Sequence, residues 1–148
     1  MERITKLRYD GKILSKKNRH VVARIAGRNA VLPDHAAQEN ESQMVAQFMS
    51  QLGADERTRG RIWQDKARRV LEAERAGATY EIGIQIWQAD GIRRDLDNQT
   101  STLMDALVRS GAIPDDCRKF VKAIVVRDEG IDKERPGAQI TIRETTAE

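Results

Sequence analysis

The clearest pattern in the chain is the alternation of YEIGIQIWQ over residues 80 to 88, with Ile82, Ile84 and Ile86 on one side and Glu81, Gly83 and Gln85 on the other. A period of two sends successive side chains to opposite faces, so this segment predicts a half-buried β-strand. QITIR at 139 to 143 also alternates and predicts an edge or half-exposed strand, whereas FVKAIVVRD at about 120 to 128 is apolar enough for a buried central one. Residues 3 to 9 and roughly 20 to 26 carry the β-branched Ile4, Val21, Val22 and Ile25 on either side of a polar run with Gly11 as a turn signal. They predict two short strands.

Three other stretches repeat at helical spacing. Met44, Val45, Phe48, Met49 and Leu52 predict a helix over about 36 to 52, with Gly53 as its cap. Ile62, Trp63, Ala67, Val70 and Leu71 form one face of a helix over about 56 to 75, followed by Gly77. Leu103, Met104, Ala106, Leu107 and Val108 predict a third, which Asp97 or Asn98 can cap and Gly111 can end. The order ββααβαββ describes a small α/β fold, a mixed sheet with flanking helices, in which the 80 to 88 strand, its helix and the strand near 121 to 127 can form a right-handed crossover. A chain of 148 residues suits one domain, 1–148.

Composition narrows the class. No apolar stretch approaches the roughly 20 residues that span a bilayer, and MERITKLRYDGK lacks the apolar core of a signal peptide, so a cytoplasmic protein without a membrane partner is expected. The lone Cys117 has no second thiol and reads as a small packing residue. His20 and His35 have no histidine partner at a metal-binding spacing and read as surface or packing residues. Net charge is +3, but residues 1 to 34 alone carry nine Lys/Arg against three acids, which makes this basic N-terminal segment +6 and the remainder −3. Such a segment suits a polyanion. Lys16, Lys17, Arg19 and Arg24 are the candidate phosphate contacts, with a solvated loop as the alternative.

The candidate chemistry lies in the acidic region 94 to 116. Asp95 and Asp97 sit two apart at a strand-to-helix junction, where the backbone can aim both carboxylates at one point. Hard cations such as Mg²⁺ are held by one or two carboxylates with waters and substrate phosphates, an arrangement suited to phosphodiester hydrolysis. Asp115 and Asp116 can add a ligand if the chain folds back, or if a second subunit presents it. Acids at helix N-termini also arise simply because they complement the helix dipole.

The stretch RRDLDNQTSTLMDALVRSGAIPDD resembles the signature of the RusA-type Holliday junction resolvases, and LSKKN is similar to the basic N-terminal element of their phage-borne relatives. The resemblance implies that Asp95, Asp97 and Asp116 are metal-binding catalytic carboxylates with Arg94 as a functional basic neighbour, while Asp115, Asn98 and Asp105 match supporting positions. It also implies a homodimer that cuts four-way DNA junctions in recombination and repair, using Mg²⁺ or Mn²⁺, and a phage or bacterial origin. The sequence departs from the pattern at one point: the family's catalytic lysine, four residues after the second Asp, is here Ser101. Either another cation, with Arg118, Lys119 and Lys122 as candidates, takes its place, or the protein is a weakened or inactive junction-binding one.

Overall fold

The computed structural model describes residues 1–14, 20–33, 35–53 and 65–147, with the backbone alone at 20–25 and 30–33. The elements are β1 (Glu2–Asp10), β2 (His20–Ile25), β3 (Arg28–Pro33), α1 (His35–Gln51), α2 (Lys66–Ala76), β4 (Thr79–Gln88), α3 (Leu96–Ser110), β5 (Val121–Ile131) and β6 (Gly137–Thr145). β1, β6, β4 and β5 form one mixed sheet in that order, and β2 with β3 forms a separate antiparallel pair. The strand β3 follows a two-residue turn and has no counterpart in the sequence expectation. The turn needs a left-handed backbone at Ala26 (φ 52°) and Gly27 (φ 76°), the conformation of a tight hairpin.

Alternation decides which face of the sheet is buried. Tyr80, Ile82, Ile84 and Ile86 of β4 point inward with Ala138, Ile140 and Ile142 of β6 and Leu7 and Tyr9 of β1. Met44 and Phe48 of α1 and Leu103 and Leu107 of α3 belong to the same core, so helices cover this face in a two-layer arrangement. The other face keeps Glu81, Gln85 and Arg143 in solvent, with an Arg143–Glu81 ion pair at 3.2 Å.

Two strand assignments are corrected. β6, expected as an edge or half-exposed strand, is half-exposed, with Ile140 and Ile142 buried and Arg143 in solvent, but lies centrally between β1 and β4, antiparallel to both. β5, expected to be central, is an edge strand paired only with β4, and Ile124 and Val125 are 43% and 68% exposed. Apolarity signals what a strand could bury; lateral order depends on which partner arrives on the other side. β4 and β5 pair in parallel with α3 in the connection between them, as a crossover requires.

The helix expectations fare unevenly. Met44, Phe48 and Met49 are buried as the spacing predicts. Gly77 and Gly111 end α2 and α3 in the left-handed conformation that only glycine adopts without a Cβ penalty. In α2, however, Leu71 is 45% exposed and Ala73 is the buried residue, while Gly60, Ile62 and Trp63 lie outside the described residues. No helix among the described residues is long and apolar enough to cross a membrane.

Candidate active site

α3 follows β4 after the connection 89–95, and Gln88 at the end of β4 bonds Gln99 in the first turn of α3, so that turn sits at the carboxyl edge of the parallel β4–β5 pair, the edge at which open α/β sheets commonly present ligand sites. Asp95 occupies the N-cap position with an extended backbone (φ −80°, ψ 123°), and its carbonyl accepts the first helical bond from the Gln99 amide at 3.1 Å. Its side chain makes no capping bond. The Asp95 carboxylate instead faces the buried Asn98, whose Nδ2 approaches Oδ2 to 3.4 Å. The caps expected from Asp97 or Asn98 are therefore replaced by Asp95 at the N-cap position.

Asp97 is exposed and takes no hydrogen bond or ion pair among the described residues. Burial around the rest of α3 explains its direction. Leu103, Ala106 and Leu107 are fully buried, and the solvent-facing part of the helix narrows to a strip in which Asp97, Ser101 and Asp105 follow one another at intervals of four residues. Residues four apart lie on one face, so Ser101 stands between two acids with a hydroxyl and no charge.

Asp116 lies beyond the end of α3, exposed and within reach of the Asp105 charge. Its carboxyl is pushed above the ordinary aspartate range by partial burial first, then by the negative charges of Asp115 and Asp105. Asp115 accepts a hydrogen bond from the Asp116 amide at 2.9 Å and faces Lys66 at 4.0 Å. The structure thus gathers Asp116 with Asp115 and Asp105, and leaves Asp95 and Asp97 as a separate pair. Asp97 and Asp105 are about 12 Å apart along the axis, at roughly 1.5 Å per residue. Among the described residues, no three His, Cys, Asp or Glu side chains lie close enough to hold a metal ion. The pair at the head of α3 nonetheless fits a cation that keeps much of its water shell, because its oxygens are hard, exposed and unused by capping.

Beside that pair the sheet edge is basic. Arg94, with a side chain only 12% exposed, grips Asp90 through two bonds of 2.6 and 3.2 Å. Lys12, reaching in from the loop after β1, meets the same carboxylate at 3.1 Å. Asp90 also accepts from the Ile92 amide at 3.0 Å, closing a turn around Gly91. Its carboxyl is held well below the ordinary range by Arg94 first and Lys12 second. A hollow of about 260 Å³ opens here between Gln88, Asp90, Arg93, Arg94, Asp128 and Ile131.

Asp90, Lys12 and Gln99 were not singled out by sequence reasoning. The Asp-Gly of ADGIRRD and the Gly-Lys after β1 are turn signals, but nothing local says that two turns 78 residues apart share a carboxylate. Of the other candidate cations, Lys119 pairs with Glu74 at 2.7 Å and Lys122 donates to the Arg118 carbonyl at 2.9 Å, while the Arg118 side chain is exposed. Lys16, Lys17 and Arg19 lie outside the described residues, and Arg24 is placed on β2 by its backbone alone. Cys117 is exposed, which corrects its reading as a packing residue. His35 is exposed at the start of α1. The chain matches no protein-family model and no curated protein.

Proposed function

We propose that the protein is a divalent-metal-dependent endodeoxyribonuclease that acts on branched DNA, the four-way junction being its preferred substrate, as the resemblance of residues 94 to 116 to the RusA-type resolvases implies. The observation that carries the reading is the setting of Asp95 and Asp97. They stand at the ligand edge of a parallel strand pair, one at an N-cap without capping and the other without a partner among the described residues, next to a clustered Arg94 and Lys12. Acids that served only to stabilise the helix would be expected to use that N-cap bond.

In this reading Asp95 and Asp97 hold Mg²⁺ or Mn²⁺, which when bound supplies charge neutralisation of the phosphate and activation of water. Asp116 is the third carboxylate, with Asp105 and Asp115 supporting it. Arg94 and the basic N-terminal segment orient the phosphodiester, and a homodimer presents two such sites to the two-fold symmetry of a junction.

The test is cleavage of a synthetic four-way junction by the purified chain. Symmetric nicks that require Mg²⁺ and vanish with EDTA are expected, with linear duplex of the same sequence cut at least about tenfold more slowly because geometry and not base identity is read. A second reading, junction binding without cutting, is favoured by the uncharged Ser101 between the two acids of the helix strip. Tight, salt-sensitive binding with no nicks at any Mg²⁺ or Mn²⁺ concentration would establish that reading instead.

A further inference from the structure

The loop that carries Lys12 is held unusually well for a surface turn. The Lys12 carbonyl accepts bonds from Asn40 Nδ2 at 2.6 Å and from the Tyr9 hydroxyl at 3.1 Å, and both partners are buried. Asn40 also accepts from the Leu14 amide at 3.0 Å. The Ile13 carbonyl accepts from Gln99 Nε2 at 3.0 Å, and Gln99 is fully buried in the first turn and a half of α3. A Cβ on Gly11 would come within 2.5 Å of the Tyr9 hydroxyl, so the tight approach of this loop depends on glycine there, at φ +144°. The backbone of residues 11 to 14 is therefore fixed to α1 on one side and to the head of α3 on the other.

From that fixed backbone the Lys12 side chain, 43% exposed, reaches Asp90. Asp90 is shared between Lys12 and Arg94, so the three groups together carry one net positive charge. The Lys12 ammonium has three donors and Arg94 five, and Asp90 takes one and two of them in the geometry described. Lys12, 43% exposed, keeps its remaining donors toward solvent, whereas Arg94, 12% exposed, is largely enclosed. Cations whose positions are set before substrate arrives stabilise developing negative charge without reorganisation at the moment of reaction.

We propose that Lys12 is a further catalytic residue, donating to a non-bridging oxygen of the scissile phosphate, and that Asp90 is the positioning residue holding Lys12 and Arg94 at the rim of the Asp95–Asp97 pair. Lys12 then supplies the positive charge that Ser101, one turn beyond Asp97, does not. The inference rests on the nuclease reading, and the experiment separates the two.

Junction cleavage at saturating enzyme gives the single-turnover rate, and junction affinity is measured with Ca²⁺ in place of Mg²⁺. Lys12→Met is expected to lower the rate about 10²-fold, the scale of losing one oxyanion donor. Its affinity should change less than about threefold, since one phosphate contact among many is lost. Lys12→Arg keeps the charge and is expected to retain most of the rate. Asp90→Asn should slow cutting about tenfold through misplacement of the cation. Adding Ser101→Lys to either Lys12→Met or Asp90→Asn should restore at least about tenfold, a rescue that a purely structural role would not give. Cutting by Lys12→Met within about threefold of the parent, or failure of Ser101→Lys to rescue it, overturns the proposal while leaving the nuclease reading intact. A parent protein that makes no nicks overturns both.

Discussion

The two ends of α3 carry the same residue type in opposite electrostatic settings. At its head, Asp95 and Asp97 are exposed and stand beside a clamped Arg94 and Lys12. At its foot, Asp116 is crowded by Asp115 and Asp105, and its partly buried carboxyl holds its proton more strongly than usual. In the proposed nuclease reading, the head is where a cation would sit with a phosphate. The foot is a cluster of like charges beside Lys66, which stands 4.0 Å from Asp115.

The largest expected effect tests the head. Asp97→Asn should lower Mg²⁺-dependent junction cutting by more than about 10²-fold, beyond the range seen when residues that merely orient a metal's ligands are changed. Junction binding in EDTA should be unchanged or slightly tighter, since a negative charge near phosphate is removed; cutting near the parent rate would remove Asp97 from the site. Asp116→Asn should follow with a smaller loss, about tenfold to 10²-fold in the same assay. If the two variants lose equally and metal titrations show one shared affinity, the separation between head and foot collapses into a single centre on binding.

A third effect concerns stability. Mg²⁺ at about ten times its dissociation constant should raise unfolding free energy by roughly 1.4 kcal/mol, as a ligand specific to the native state must. Urea denaturation should show this for the parent and not for Asp95→Asn. The smallest effect isolates the foot. A carboxyl whose folded pKa is raised favours the native state while protonated, below the ordinary aspartate value near 3.9, and that contribution disappears as pH rises through the raised value. At pH 7 without metal, Asp116→Asn should therefore stabilise the protein, by under about 1 kcal/mol because solvent screens an exposed group, and below about pH 3.5 it should change nothing. A destabilised Asp116→Asn at pH 7 would contradict the like-charge description.

The head of α3 was legible in the sequence because its signals are local: an alternating strand, a turn and a periodic helix fix Asp95 and Asp97 at one edge. The gathering of Asp116 with Asp105 was not, since it depends on how residues 111 to 116 turn back along the helix. Lys12 and Asp90 were illegible for a stronger reason. Their meeting depends on β1 lying beside β6, β6 beside β4, and Gln99 holding the Ile13 carbonyl. None of these contacts leaves a trace in hydrophobic period. The exchange of places between β5 and β6 has the same origin: Ile124 and Ile142 both pair with Ile82 on the core-side face, yet one is 43% and the other 3% exposed, because β6 has a strand on each side and β5 on one.

The pairing of β1 with β6 has a kinetic consequence. Glu2 lies opposite Thr145, so the strand that carries the Lys12 loop has no sheet partner until almost the whole intervening chain has been organised. Contacts this far apart in sequence close large loops and slow folding relative to helical or hairpin contacts. A chain interrupted anywhere before residue 137 would leave β1 without its sheet partner, an exposed strand able to pair with other chains. Expression of such a shortened chain would thus be expected to yield aggregated species, since none of its copies carries a β6 to cover β1 or the free side of β4.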